Sequence, residues 1–536
     1  MENFSHAFTG NYMFGFSEFI SGFFLLSIVY TTTGIRFKFR MAVARLPLFS
    51  KAVSFLIIAI GFLTLCIDLF PTGYQFSIQF FLGFLFLLLT SYVYYVYVCP
   101  SKFSENNSEK YAKELFNIIS KGSDSELRII GHELATAAAS LIRFCREIPI
   151  TKEVKKNNKN RSEIASDYAH DILLLIPNKK LCKHIVDSSP ITARAFFEAM
   201  QDQKKYNIPI NLFAREITTQ ALINKNSMLY HENGSFQSDL IGHFKPFSQS
   251  MYGNYQLVET LSSSRSGSFK YGPLDIDQLV RSWDALQLKA YCEITKLTLG
   301  NYLNNHRKEH SYALYRAFEN IKNSCDDVYK LDTIQEYYAT DIYKRLEIVV
   351  EFFCDTINLI QSVDLKTELS EQSSLYKHIA EIMFYIIYSA SWVHSDFNVC
   401  WSIHYVVVWN RFFSRFESQK NSWKIIHSKL RCLLYDEIKS LEKERNDRAS
   451  KILGFCLNVM GLEISSRLEE DFGIEHKSFQ KNILAWTAQN YMRLKKTSPD
   501  LAGSCLIGGI IFDEKTSCLA RTSLDPKQKE HLQLLE

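Results

Sequence analysis

The sequence predicts a mainly α protein: three N-terminal transmembrane helices followed by a large all-helical cytoplasmic region, with one candidate for a minor β-hairpin. Three observations support this fold class. Long apolar runs fall within residues 1–100, and apolar residues recur at steps of three and four through much of the remaining chain. Glycine (21) and proline (11) are also scarce among the 536 residues, which leaves few positions for the turns of a strand-rich fold.

The three apolar runs cover residues 12–34, 53–70 and 76–98. Each has about the length that a helix rising 1.5 Å per residue needs to cross a hydrocarbon core of roughly 30 Å. The first eleven residues carry Glu2 and no lysine or arginine, unlike a cleaved signal peptide, so we expect the first helix to be retained. Residues 1–100 are therefore predicted to form a transmembrane anchor.

Positive charge between the first two runs predicts the orientation of this anchor. Five cations and no acid lie there, namely Arg36, Lys38, Arg40, Arg45 and Lys51, whereas the connection 71–75 is uncharged. Because cationic loops stay in the cytoplasm, we expect the N-terminus outside and everything from about residue 100 inside. The layout predicts an integral protein of a bacterial inner membrane, in contact with the lipid bilayer.

Two acids, Glu18 and Asp68, lie inside the apolar runs. An ionisable group at membrane depth is a candidate proton or cation site. Both residues are near the outer ends of their predicted helices, where a carboxylate reaches headgroups and water at low cost. We expect an interfacial position for both, with ion binding as the alternative.

The rest of the chain divides into a linker at 101–128 that runs into a helix, a helical module at 129–496, and a C-terminal tail at 497–536 with short strands. A polar, serine-rich break near 262–275 suggests two subdomains within the module. One apolar stripe at helical spacing consists of Leu127, Ile130, Leu134, Ala138, Leu141 and Cys145.

Two further segments of the module have specific predictions. The run 379–393 is apolar, but it is too short for a membrane helix and contains Glu381, so we expect a buried core helix. Asn233-Gly234 lies between alternating residues, which predicts a small β-hairpin.

Charge and cysteine content narrow the function classes. The 61 lysines and arginines nearly balance 57 acids, for a net charge of +4, so we expect no general nucleic-acid binding. Twelve cysteines occur without any C-x-x-C pair, which excludes a zinc ribbon or redox dithiol of that spacing. We expect reduced, mostly buried thiols.

His132-Glu133-Leu134 followed by Thr136 resembles the phosphoacceptor box of sensor histidine kinases. His132 lies opposite the apolar stripe on a helical wheel and should be exposed. The resemblance implies a nucleotide-binding domain with glycine-rich loops downstream, yet no D-x-G-x-G or G-x-G-x-G string follows. We therefore predict an ordinary surface histidine that is not phosphorylated.

Two other histidine patterns could bind a metal. His170-Asp171 resembles the doublet of HD-type metal phosphohydrolases, with His132 and Asp187 or Asp202 as further ligands. His306, Glu309 and His310 match the H-x-x-E-H motif of inverted zinc proteases, in which two imidazoles hold zinc and the glutamate activates its water. The third ligand would be an acid such as Asp326, Asp327 or Glu381.

The alternative to metal binding is that these histidines are ordinary polar residues on helix surfaces. Short motifs match by chance, and Arg307 and Lys308 lie between the ligands, where inverted zinc proteases have apolar residues. The sequence therefore favours a membrane-anchored, non-catalytic sensing, scaffold or effector protein whose cytoplasmic module binds a protein partner or another copy. The alternative is a membrane-tethered hydrolase that depends on zinc or another divalent metal.

Overall fold

The computed structural model describes residues 14–32, 34–44, 52–70, 74–99, 102–147, 160–233, 245–263, 271–276, 283–305, 310–363, 373–394, 397–413, 421–464, 474–522 and 529–535. Within them the chain is mainly helical with one three-stranded sheet, which confirms the predicted mainly α class. Two compact units are formed by residues 1–232 with 264–273 and by residues 233–263 with 274–536. The chain thus changes unit twice within the predicted break at 262–275, and once more after residue 232.

The first unit is entirely helical in its described part. Its helices are α1 (Phe16–Thr32), α2 (Ile35–Val43), α3 (Ala52–Leu69), α4 (Gln75–Val98), α5 (Ser108–Lys121), α6 (Asp124–Phe144), α7 (Arg161–Leu175), α8 (Lys179–Ser188), α9 (Pro190–Gln203), α10 (Asn211–Ile223) and α11 (Met228–Asn233).

Helices α1, α3 and α4 cover the three apolar runs, where helices were predicted. They alternate in direction. Asp68 at the end of α3 accepts a hydrogen bond from the Phe16 amide at the start of α1 (2.7 Å) and another from Gln79 near the start of α4 (3.2 Å). The ring of Phe19 lies against Gly61 of α3, where a Cβ atom would come within 2.5 Å of it. A larger residue at position 61 would therefore require the Phe19 ring to move.

Membrane crossing by all three helices stays a prediction. Among the described residues, Gln75–Tyr92 of α4 is long and apolar enough to cross a membrane, whereas the apolar stretches Phe16–Leu25 and Phe55–Leu69 are shorter. Large apolar side chains nevertheless point away from the helices' shared core. Phe24 and Phe55 are 66% and 74% exposed. Exposed apolar surface of this kind is typical of contact with lipid or protein.

The cationic connection between α1 and α3 is not an open loop, because its first part forms helix α2. Phe37, Phe39, Arg40 and Val43 are buried in α2, which packs against α4, α5 and α6. The sequence analysis detected only the charge of this segment, since nine residues with alternating aromatic and basic side chains give no clear helical stripe.

Residues 101–128, predicted as a linker that runs into a helix, contain the packed helix α5. In α5, Tyr111, Leu115 and Ile118 recur at helical spacing and are buried. The next helix, α6, begins with a capping box in which Ser123 and Glu126 each accept a hydrogen bond from the other's backbone amide. All six members of the predicted apolar stripe in and after α6 are buried, which confirms it.

The second unit contains the remaining helices and the sheet. The helices are α12 (Pro246–Tyr252), α13 (Tyr255–Ser262), α14 (Ala285–Asn305), α15 (Tyr312–Asn323), α16 (Asp341–Val363), α17 (Ser373–Ala390), α18 (Phe397–Cys400), a π-helix (Trp401–Trp409), α19 (Asn410–Phe413), α20 (Asn421–Lys439), α21 (Asp447–Met460), α22 (Ile474–Thr497) and α23 (Pro499–Ser504), with short 3₁₀ turns at Val328–Thr333, Tyr337–Ala339 and Ser440–Glu442. Strands β1 (Ile510–Asp513), β2 (Cys518–Thr522) and β3 (Lys529–Gln533) form an antiparallel sheet in that order.

The structure confirms one of the two specific predictions about the module and contradicts part of the other. Helix α17 includes most of 379–393, and its Ile379, Ile386 and Ile387 are fully buried, so the predicted core helix is confirmed. The β-hairpin at Asn233-Gly234 is wrong on its N-terminal side, because Met228–Asn233 is helical and buries Leu229. The residues that follow Asn233, up to 244, lie outside the described part of the chain.

Candidate coupling site between helix α2 and helix α6

A buried carboxylate, Glu133 of α6, joins helix α2 to the helices that follow the apolar bundle. Glu133 is 2% exposed. Arg40 donates to it from Nε at 2.9 Å and from Nη2 at 2.8 Å, one bond to each carboxylate oxygen. Arg36 Nε lies 3.0 Å from Oε1 of the same carboxylate. The paired bonds from Arg40 form the planar, bidentate arrangement that gives strong ion pairs.

The sequence of α2 explains how both arginines reach one acid. Residues four apart share a helix face, so Arg36 and Arg40 project together towards α6. Phe37, Phe39 and Val43 are at most 3% exposed and hold the helix in place by burial. The side-chain amide of Asn107, which precedes α5, donates to the Val43 carbonyl at 3.0 Å and so satisfies the C-terminal end of α2.

The surroundings of the ion pair are apolar and aromatic. Tyr111 of α5 is fully buried, with its ring 5.4 Å from that of Phe39 and 5.7 Å from that of Phe103. Burial, and then the negative charge of Glu133, raise the pKa of Tyr111 well above its usual range. Removal of Glu133 would therefore leave the Arg40 guanidinium buried without its carboxylate, whereas removal of Arg40 would leave Glu133 paired with Arg36 alone.

This arrangement can transmit a displacement. Helix α2 lies between α1 and α3 in the chain and contacts α5 and α6 directly. A displacement of α2 relative to α6 would therefore break the bonds between Arg40 and Glu133. We call Arg36, Arg40, Glu133 and Tyr111 the coupling cluster.

The intramembrane candidates Glu18 and Asp68 are not part of the coupling cluster. They lie at the opposite end of α1, where Glu18 accepts a hydrogen bond from the Gly15 amide (2.9 Å) and Asp68 accepts one from Phe16 (2.7 Å). Both carboxylates thus bind free amides at the N-terminal end of α1, a position that favours negative charge.

His132 is exposed, as its helical position predicts. Its Nδ1 atom is 3.3 Å from the Ser189 hydroxyl, and Thr136 donates to the Glu133 carbonyl at 2.8 Å. His132 was a functional candidate from the sequence, whereas Glu133 was not recognised as a buried acid. A signal was present, because Glu133 is three residues after Ile130 and one before Leu134, within the apolar face of α6, where an acid needs a buried partner.

The HD-type ligand set is not assembled in the described structure. His170 Nδ1 lies 3.8 Å from the carboxylate of Asp171, and both side chains are on the surface of α7. Asp187 instead accepts a hydrogen bond from Asn224 at 2.7 Å, and Asp202 is exposed near the end of α9. Within the described ranges, no group of three or more His, Cys, Asp or Glu side chains could hold a metal ion.

Of the three residues of the H-x-x-E-H motif, the structure describes His310. His306 and Glu309 lie outside the described residues, and His310 precedes α15, with its ring 5.1 Å from Tyr312. The proposed acids have other partners: Asp326 accepts from Tyr385, Asp327 from Arg345, and Glu381 lies 3.7 Å from Lys377. The zinc interpretation thus stays a sequence-based hypothesis.

Comparison with known proteins gives no family assignment. The chain matches no protein-family model, no curated protein and no solved structure.

Proposed function

We propose that this chain is a membrane-anchored, non-catalytic sensing, scaffold or effector protein whose helical module lies in the cytoplasm and binds a protein partner or a second copy. The observation that carries the proposal is the coupling cluster, in which Arg40 of α2 donates two hydrogen bonds to the carboxylate of Glu133 in α6. A buried ion pair is a costly way to stabilise a fold, but it fixes one relative position of two elements. It therefore suits a protein that holds its membrane helices and its module in a defined arrangement.

The position of α2 also supports the proposed topology. Helix α2 follows α1, and α5 follows α4, so their direct contact requires the C-terminal ends of α1 and α4 to lie on the same side of a membrane. Three crossings meet this requirement, because α3 then returns the chain to the outer side. The cations of α2 support a cytoplasmic position for the shared side and an outer position for the N-terminus.

Reporter fusions test this proposal. An enzyme that is active only in the cytoplasm, fused after Glu536, should be active, and so should the same reporter fused after Gly34, at the start of α2. A reporter that needs export should be active only when fused after Tyr74, between α3 and α4. Export-dependent activity after Glu536, or release of the full chain from membranes by alkaline carbonate, would contradict the proposal.

A further inference from the structure

A cavity of about 520 Å³ lies in the first unit, between the C-terminal end of α6 and the N-terminal part of α7. Its polar lining consists of Arg143, Arg146, Lys205, Ser162, Ser166 and the acid Glu105. The cavity belongs neither to the coupling cluster nor to any of the histidine motifs.

Its electrostatics favour an anion. A helix C-terminus would normally repel negative charge, but Lys205 Nζ donates to the carbonyl oxygens of Arg143 at 2.6 Å and Cys145 at 3.1 Å, which offsets this effect. Burial raises the pKa of Cys145 to about 12, so its thiol stays neutral. Arg146 is 3.8 Å from Glu163, too far for a good hydrogen bond.

Arg143 is the more available of the two guanidinium groups. It lies over the ring of Phe144, 5.0 Å from the ring centroid, and forms no ion pair with any described carboxylate. A guanidinium can keep a stacking contact of this kind while its N–H groups bind an anion.

Two hydroxyl groups complete the lining. Ser166 is 5% exposed and lines the cavity. Its hydroxyl is a group that can donate a hydrogen bond to an anion there. Ser162 lies one turn earlier, in the first turn of α7, where a capping box between Asn160 and Glu163 already closes the helix N-terminus.

We propose that this cavity binds a phosphate group, carried either by an anionic lipid headgroup or by free phosphate. Two guanidinium groups and two hydroxyls are donors that recognise phosphate oxygens. The cavity wall at Glu105 follows closely on Cys99, the C-cap of α4. Under the topology proposed above, this position is near the inner membrane surface, within reach of a headgroup.

The test is calorimetric titration of the full detergent-solubilised chain with inorganic phosphate and, separately, with water-soluble dihexanoyl phosphatidic acid. Chloride at equal ionic strength is the reference. Saturable binding of either phosphate ligand that weakens at least tenfold in Arg143→Gln with Arg146→Gln supports the site. Tighter binding of phosphatidic acid identifies a lipid, and tighter binding of inorganic phosphate identifies a free anion.

The controls separate binding from folding. Arg128→Gln removes an exposed cation from the same helix α6 and should leave affinity unchanged. Ser166→Ala retains both arginines, and it should weaken binding severalfold while the circular dichroism spectrum stays that of the wild type. If neither ligand binds saturably, or if the arginine variant binds like Arg128→Gln, the proposal is wrong. This outcome is independent of the reporter test of topology.

Discussion

The ion pair between Arg40 and Glu133 gives the most specific prediction. Substitution of Glu133 by leucine leaves the Arg40 guanidinium, whose side chain is only 10% exposed, without its carboxylate. Loss of one partner of a buried pair costs about 3–5 kcal/mol of unfolding free energy. Arg36, with 47% of its side chain exposed, can turn to water, and its contribution should stay below about 1 kcal/mol.

The assay is a double-mutant cycle with Arg40→Met, Glu133→Leu and the combination. Urea unfolding of the full chain in detergent, followed by circular dichroism, measures the free energies. We expect Glu133→Leu to lose about 3–5 kcal/mol and Arg40→Met to lose less, because Arg36 still pairs with Glu133. The double variant should lose much less than the sum, because an apolar pair of similar volume replaces both charges.

A surface pair provides the control for this cycle. Glu109→Ala removes the exposed pair that Glu109 forms with Lys113 on α5, and it should leave the unfolding curve unchanged. Single-variant losses at Arg40 and Glu133 that add within about 0.5 kcal/mol would refute the reasoning, since independent sites behave in that way.

Three further predictions concern the thiols of the chain and the histidines of its second half. Cys432 is exposed and should react with a maleimide in the folded protein. Burial raises the pKa of Cys182 well above its usual range, so this thiol should react only on unfolding. Rapid labelling of Cys182 in the folded protein would contradict its burial. Burial lowers the pKa of His404 to about 4, below its value of about 6.5 in the unfolded chain. As the pH falls, the unfolded chain therefore takes up this proton first, and the free energy of unfolding should decrease between about pH 6.5 and 4. This histidine contributes up to about 1.4 kcal/mol of that decrease per pH unit. Urea midpoints that do not change across that range, or that change equally in His404→Gln, would argue against it. Alanine at both His306 and His310 should leave metal content unchanged by mass spectrometry, and loss of stoichiometric zinc in that variant would restore the hydrolase hypothesis.

Much of the architecture was predictable because long periodic segments determine their own structure. The three apolar runs and the stripe from Leu127 to Cys145 each extend over several helical turns, and the structure forms helices at all of them. The same reasoning identified 379–393 as a core helix from its length and from Glu381 alone.

The coupling cluster was harder to predict because its partners are distant in sequence. Arg40 and Glu133 are separated by 93 residues, and their pairing depends on how α2 packs against α5 and α6. The cations of α2 were correctly seen as a group, but their individual partners are tertiary information. At Asn233 a local turn signal was overridden in the same way, by the burial of Leu229 in a short helix.

Hydrogen exchange of α2 tests the central claim most directly. The full chain in lipid bilayers is exchanged into heavy water, and the peptide covering residues 35–43 is followed by mass spectrometry. The docked helix predicts slow exchange in the wild type and much faster exchange in Glu133→Leu, with the exchange of α4 unchanged in both. Exchange of residues 35–43 in the wild type at the rate of an unstructured peptide would show that α2 does not couple the apolar helices to the rest of the chain.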